Sequence, residues 1–231
     1  MLVLVVAVAA PAANAGALHN IVSPGDATVA IAPGAGSDRQ AKTPVGEPTD
    51  DGFILAWLVM LLLLVSLFYA VFGIICKWRG YALPTGPEWL SYALPVLCLI
   101  GLGVAIYLSY VETTATVAVC GPVGDCNTVQ ASPYSHIAGI LPVGVFGAAG
   151  YIALLAAWLW GRLRHDALAS YAPLAIFAMS LFGVAFTIYL TALELFVITA
   201  ICMWCIVSAV IMVLLLTISA GPGLKQAPMR Q

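Results

Sequence analysis

Two cysteines stand three positions apart in Ile201-Cys202-Met203-Trp204-Cys205-Ile206, inside a long apolar run. Residues three apart in a helix share a face, so both sulfurs point the same way. A dithiol of this kind can close to a disulfide and reopen. If the pair stands in the first turn of its helix, the helix dipole also favours negative charge on sulfur and makes it a better nucleophile. A second pair lies far upstream, in Cys120-Gly-Pro-Val-Gly-Asp-Cys126. Gly121, Pro122 and Gly124 give that segment a tight turn that can bring its two sulfurs within disulfide range. The chemistry the two pairs suggest is electron exchange with each other by thiol–disulfide transfer at one face of a membrane.

Plainer readings stand beside this one. Cys202 and Cys205 are also what two small, apolar packing residues would look like. Cys120 and Cys126 are also what a static disulfide stapling an exported loop would look like. A four-cysteine zinc site is the weakest option, because the five residues between Cys120 and Cys126 exceed the usual knuckle spacing; no metal site is expected. Cys76 and Cys98 stand alone in apolar segments and read as packing residues. Glu112 and Glu194, at helix ends, could relay protons or be ordinary interfacial carboxylates. His136 follows the loop and could hydrogen-bond a ligand.

The elements that position these residues follow from composition. The chain has 231 residues, of which 63% are hydrophobic and 8% charged. Soluble domains carry about 25% charged residues. No water-soluble packing accommodates so much apolar surface, so the chain reads as an all-α integral membrane protein. A net charge of −2, without a basic patch or a Gly-rich phosphate loop, gives no reason to expect a nucleic-acid partner.

Taken in order, residues 1–15 read as an atypical signal peptide or a mis-set start: Ala13-Asn14-Ala15 resembles a cleavage site, but the basic n-region is missing. As a helix they would cover only about 22 Å, short of a bilayer core of about 30 Å. Residues 16–51 lack periodicity and read as a flexible extracytoplasmic tail. Residues 52–76 form an extra transmembrane anchor helix ending at Lys77-Trp78-Arg79. A turn rich in Gly and Pro precedes a core at 88–220, and 221–231 form a cytoplasmic tail. Within the core, spans are expected over about 88–110, 137–160, 168–190 and 195–220, with Thr191 to Glu194 as a short outer turn. The fold expected is a four-helix transmembrane bundle plus one extra N-terminal transmembrane helix.

Basic residues orient these spans. Six of the eight flank helix ends assigned to the cytoplasm, and the loop from Val111 to His136 has none. By the positive-inside rule, Cys120, Cys126 and the start of the last span then lie on the outer side. The cysteines did not enter that assignment, so their gathering on one side is independent of it.

Several further residues join the two pairs in one pattern. Cys120-x5-Cys126 is followed by Ser132, then by Pro142…Phe146-Gly147…Tyr151, then by Cys202-Met-Trp-Cys205. Ala105-Ile-Tyr-Leu108 and Leu193-Glu-Leu-Phe-Val-Ile198 flank them. This arrangement, from about Leu90 to Leu216, resembles the vitamin K epoxide reductase family in its bacterial form. The family's Gly-x-Pro is one residue longer here, Gly139-Ile-Leu-Pro142, and Ala209 replaces a tyrosine of the vertebrate enzymes.

The resemblance implies a four-helix bundle holding a quinone, menaquinone or ubiquinone, at its outer end. Cys205 would be the sulfur nearest the quinone and Cys202 its partner. Cys126 would exchange with Cys202, and Cys120 would meet an external thiol protein. Ser132 would donate a hydrogen bond to the quinone or support the site. The partners implied are a separate thioredoxin-fold thiol oxidase and the quinone pool of the lipid bilayer. The function implied is thiol–quinone oxidoreduction supporting disulfide formation in exported proteins, in a bacterial cytoplasmic (inner) membrane with the site on the periplasmic side. The alternatives are a quinone epoxide reductase of the same fold and a non-enzymatic membrane protein with a structural loop disulfide.

Overall fold

The computed structural model describes residues 50–81, 90–114, 116–120, 124–137, 141–164 and 166–226. The expectations for a signal peptide, for the tail up to residue 49, for the turn at 81–87 past Tyr81 and for the C-terminal tail from residue 227 lie outside them; the last helix runs on through 221–226, the start of the expected tail. The chain is an all-α membrane protein. Its long helices are α1 (Asp50–Trp78), α2 (Leu90–Thr114), α4 (Val143–Leu163), α5 (Ala172–Leu193) and α6 (Met203–Gln226), with a single-turn α3 (Cys126–Gln130) in the loop. All five long segments are apolar enough to cross a bilayer. The shortest has 21 residues, about 31 Å at 1.5 Å per residue, which matches a core of about 30 Å. In lipid every backbone polar group must be satisfied within the chain, and uninterrupted helices do this.

Each helix buries one face and turns the other outward. On α1, Ala56, Leu63 and Ala70 are fully buried, while Leu61 and Phe68 between them are exposed. A seven-residue repeat of this kind lays a straight seam against a neighbouring helix. That neighbour is chiefly α6, which also packs extensively on α5; α2 packs mainly on α4. Tyr151, Leu154, Val184, Leu215 and Leu216 fill the centre. Tyr151 fits because Gly101 on α2 has no side chain: a Cβ there would overlap the phenol ring. Small residues that let helices approach closely are the usual device of membrane bundles.

The two ends of the bundle differ. At one end, Lys77 Nζ donates to the carbonyl of Lys225 at 3.2 Å, and Arg162 lies over the Tyr92 ring and donates to its hydroxyl. At the other end lie the loop and α3. There, β1 (His136–Ile137) pairs antiparallel with β2 (Leu141–Pro142), so α4 starts at Val143, later than Ile137. Proline at 142 favours an extended entry to the helix.

The turn between the last two spans also differs from expectation. The chain stays helical beyond Glu194, in a π-helical turn from Glu194 to Ile198. The break comes at Thr199, whose backbone is left-handed at φ 54, and α6 begins only at Met203. The sequence gives no polar break before Ile201, so apolarity alone extends the last helix back to Leu195. The observed break puts Cys202 immediately before α6 and Cys205 in its first turn.

Candidate functional site

Both cysteine pairs sit at the loop end of the bundle. Cys120 and Cys126 form a disulfide, with Cα atoms 5.9 Å apart. Cys202 and Cys205 are free thiols in hydrogen-bonding contact with each other. Cys126 and Cys202 are both fully buried, and they share one apolar cluster with Val104, Leu108, Val111 and Val129. Cys120 and Cys205 lie at its edge, half-buried.

The backbone just before Cys126 is joined directly to that just before Cys202. Asp125 N donates to the Ile201 carbonyl at 2.9 Å, so the residue before Cys126 is bonded to the residue before Cys202. Gly124 makes this possible. Its φ of +97° is one that side chains rarely adopt, and a Cβ on it would run into the same Ile201 carbonyl oxygen. After the crossing, the Asp125 carboxylate accepts from Thr128 N at 3.1 Å and caps α3. Aspartate is among the preferred N-cap residues.

The strand leading to Cys120 is held by side chains. Asn127 Oδ1 accepts from Ala118 N at 2.7 Å, and Asn127 Nδ2 donates to the Ala118 carbonyl. Val119 N donates to the Tyr107 hydroxyl at 2.8 Å, and Trp204 Nε1 donates to the Val119 carbonyl at 3.0 Å. The Tyr107 and Trp204 rings lie 4.9 Å apart, within the range of favourable aromatic contact. Four backbone groups that an irregular segment would leave unpaired are therefore satisfied from α2, α3 and α6. The tryptophan between the two helix cysteines reaches across to the loop pair. Of these, the sequence signalled Trp204 by its place in the motif and Tyr107 by its flanking stretch, while Asn127 carried no local pattern.

Glu194 is the one buried charged side chain among the described residues. Its Oε2 accepts from Cys202 N at 3.4 Å, and its carboxyl also hydrogen-bonds the Cys205 thiol. Glu112, by contrast, turns to α4, where its Oε2 accepts from Gly144 N at 3.0 Å. His136 Nδ1 contacts the Ser135 hydroxyl. Ser132 donates to the Val129 carbonyl at 2.7 Å and so closes the end of α3. Cys98 belongs to the main core, and Cys76 lies near the Lys77 end of α1.

Cys205 also faces a cavity of about 410 Å³ between α2, α4, α5 and α6. Small-molecule sites run from roughly 300 to 1,000 Å³ and are mostly apolar with a few placed polar groups. Phe146, Phe182, Phe186 and Cys205 are among its lining residues. Its polar features include Tyr151 and Ser208, whose hydroxyls are 2.9 Å apart. Ser132 is not part of its lining. The residues fit an apolar ring compound with carbonyl oxygens, and the Cys205 thiol stands on the wall.

Residues 92–220 match the model of the vitamin K epoxide reductase family. The match covers most of α2 and everything from there to the end of the α6 core, with all four clustered cysteines; α1 lies outside it. A search of curated proteins finds no match.

Proposed function

The chain belongs to the vitamin K epoxide reductase family, whose members are oxidoreductases acting on thiols and quinones, and on that premise we propose that it carries electrons from a reduced thioredoxin-fold protein through its two cysteine pairs to a quinone. The observation that supports this reading best is the burial of Cys126 and Cys202 in one apolar cluster, joined by the Asp125–Ile201 backbone bond.

The partner's thiolate attacks Cys120, the half-buried sulfur of the loop pair, and Cys126 leaves as a thiolate. Cys126 attacks Cys202 of an oxidised Cys202–Cys205 pair, and Cys205 is released. Each step is a thiol–disulfide exchange, in which the thiolate fraction of the attacking sulfur and the pKa of the leaving one govern the rate. A second partner thiol frees Cys120, which attacks Cys126 and releases Cys202 as a thiol. A bound quinone, menaquinone or ubiquinone, would accept two electrons and two protons as the Cys202–Cys205 dithiol closes to its disulfide. Phe146, Phe182 and Phe186 would give its ring an apolar seat, and Tyr151, Ser208 and Cys205 would line it. Ser132 acts as a support, because its hydroxyl fastens the helix that carries Cys126.

Family members generally work with a thioredoxin-like partner and the quinone pool. We place the protein in a bacterial cytoplasmic membrane with the cysteines outward and a separate partner protein docking at the loop. The gathering of Lys77, Arg162 and Lys225 at the opposite end supports that orientation. The product would be disulfide bonds in exported proteins.

Cys120→Ala tests the relay. Without Cys120, the bond between Cys126 and Cys202 cannot be resolved forward and only Cys205 can reverse it, so a non-reducing peptide map should recover that cross-link. A map that finds only the Cys202–Cys205 disulfide would sink the relay.

A further inference from the structure

Oxidising a dithiol with a quinone moves protons as well as electrons, and the cavity wall around Cys205 is mostly apolar, its Tyr151 and Ser208 hydroxyls bonded to each other. A proton leaving that sulfur needs an acceptor inside the protein. Trp204 Nε1 is a donor only and is committed to Val119. Glu112 is bonded to Gly144 on the far helix. The titratable group facing Glu194 among the described residues is the Cys205 thiol, which its carboxyl touches; the carboxyl also accepts from the backbone N of Cys202.

The chain is locally distorted to hold Glu194 there. A π-helical turn starts at this residue, and Thr199, a β-branched residue, is left-handed five residues later. π-turns interrupting a helix are frequent at functional sites. A left-handed non-glycine residue is strained and persists only where the surroundings impose it.

We propose that Glu194 is a catalytic residue, the proton acceptor for the Cys205 thiol during quinone reduction. The inference rests on the quinone-reductase reading above. The Cys205 proton passes to the Glu194 carboxylate, and the sulfur keeps the electron pair. Two electrons then leave the sulfurs, the Cys202–Cys205 bond forms, and the proton on Glu194 and the one from Cys202 complete the quinol. Glu194 ends as the carboxylate it began as.

The alternative role is structural: the carboxyl caps the start of α6 by accepting from Cys202 N. Glu194→Gln separates the two, because the amide oxygen can still accept that bond but cannot take a proton. Pre-reduced protein in detergent is mixed with a short-chain ubiquinone analogue, and a single turnover is followed by ultraviolet absorbance. General acid–base groups contribute about 10²–10⁴-fold, so Glu194→Gln should slow the turnover at least about 100-fold with an unchanged melting midpoint, and Glu194→Asp should recover part of the rate. A Glu194→Gln rate within about threefold of wild type would overturn the proposal. If Glu194→Gln does not fold, wild type with isotope-labelled glutamate decides: infrared difference spectra during turnover should show a transient carboxylic acid band, and its absence would overturn the proposal. Wild type that reduces no quinone would remove the function reading itself, a result distinct from either of these.

Discussion

Gly124→Ala should uncouple the two cysteine pairs without touching a sulfur. At φ +97° an added Cβ meets the Ile201 carbonyl oxygen. The left-handed conformation costs a side-chain-bearing residue about 1–2 kcal/mol. The overlap forces the segment away from Ile201, which also loses the 2.9 Å bond from Asp125 N, worth about 1 kcal/mol net. Together these disfavour the docked loop by about 2–3 kcal/mol, and at 1.4 kcal/mol per tenfold its population falls about 30- to 140-fold. The assay is the rate at which Cys126 and Cys202 become cross-linked in the Cys120→Ala background, read from timed non-reducing peptide maps. Gly80→Ala is the control. It has a similar backbone, φ +85°, but open space around its Cβ position, and it lies just past the end of α1 that carries Lys77. Its cross-linking rate should equal that of the parent. If Gly124→Ala cross-linked within about threefold of the parent, the Asp125–Ile201 bond would not be what brings the pairs together.

Other perturbations follow the same geometry. Trp204→Phe removes the donor to the Val119 carbonyl, and Tyr107→Phe removes the acceptor for Val119 N; each should weaken the loop by about 1 kcal/mol, read as faster amide exchange at 116–120. Because both side chains hold one residue and touch each other, the double variant should depart from additivity. Gly101→Ala should lower the thermal midpoint in detergent, since overpacking the Tyr151 ring costs about 1–3 kcal/mol, and should leave the loop disulfide intact on a peptide map. Replacing Cys76 and Cys98 together by alanine should leave quinone turnover within about twofold of wild type, because neither sulfur stands in the cysteine cluster.

Much of the bundle was legible because lipid imposes a simple rule: a span must be long, apolar and continuous. The runs from Phe53 and from about Glu88 therefore read as helices at close to their true extents. The loop-side ends were harder. Leu195 to Ile201 is as apolar as any helix interior, and nothing local announces that Thr199 turns left-handed. Glu194 read only as a helix-end carboxylate, a proton relay or an ordinary interfacial group, for the same reason; its bond from Cys202 N is seen only in the fold. The spacing of Cys120 and Cys126 suggested their disulfide, and charge asymmetry suggested that both pairs share one end. Their actual coupling runs through Asp125 to Ile201, Asn127 to Ala118 and Trp204 to Val119. Two of these contacts join segments far apart in sequence, and the third joins backbone to a side chain across the loop, so no periodicity records them. The cavity beside Cys205 is likewise built from four helices at once and has no signature in any one of them.

The most direct test is quinone reduction by the purified protein in detergent, supplied with a reduced thioredoxin-fold donor and followed by ultraviolet absorbance, with wild type beside Cys205→Ala. Menaquinone and ubiquinone analogues would both be offered. Turnover by wild type that is lost in Cys205→Ala is the result predicted, and it would give Cys205 its place beside the quinone. Equal turnover in the two proteins, or none in wild type with any donor, would contradict a relay that ends at Cys205.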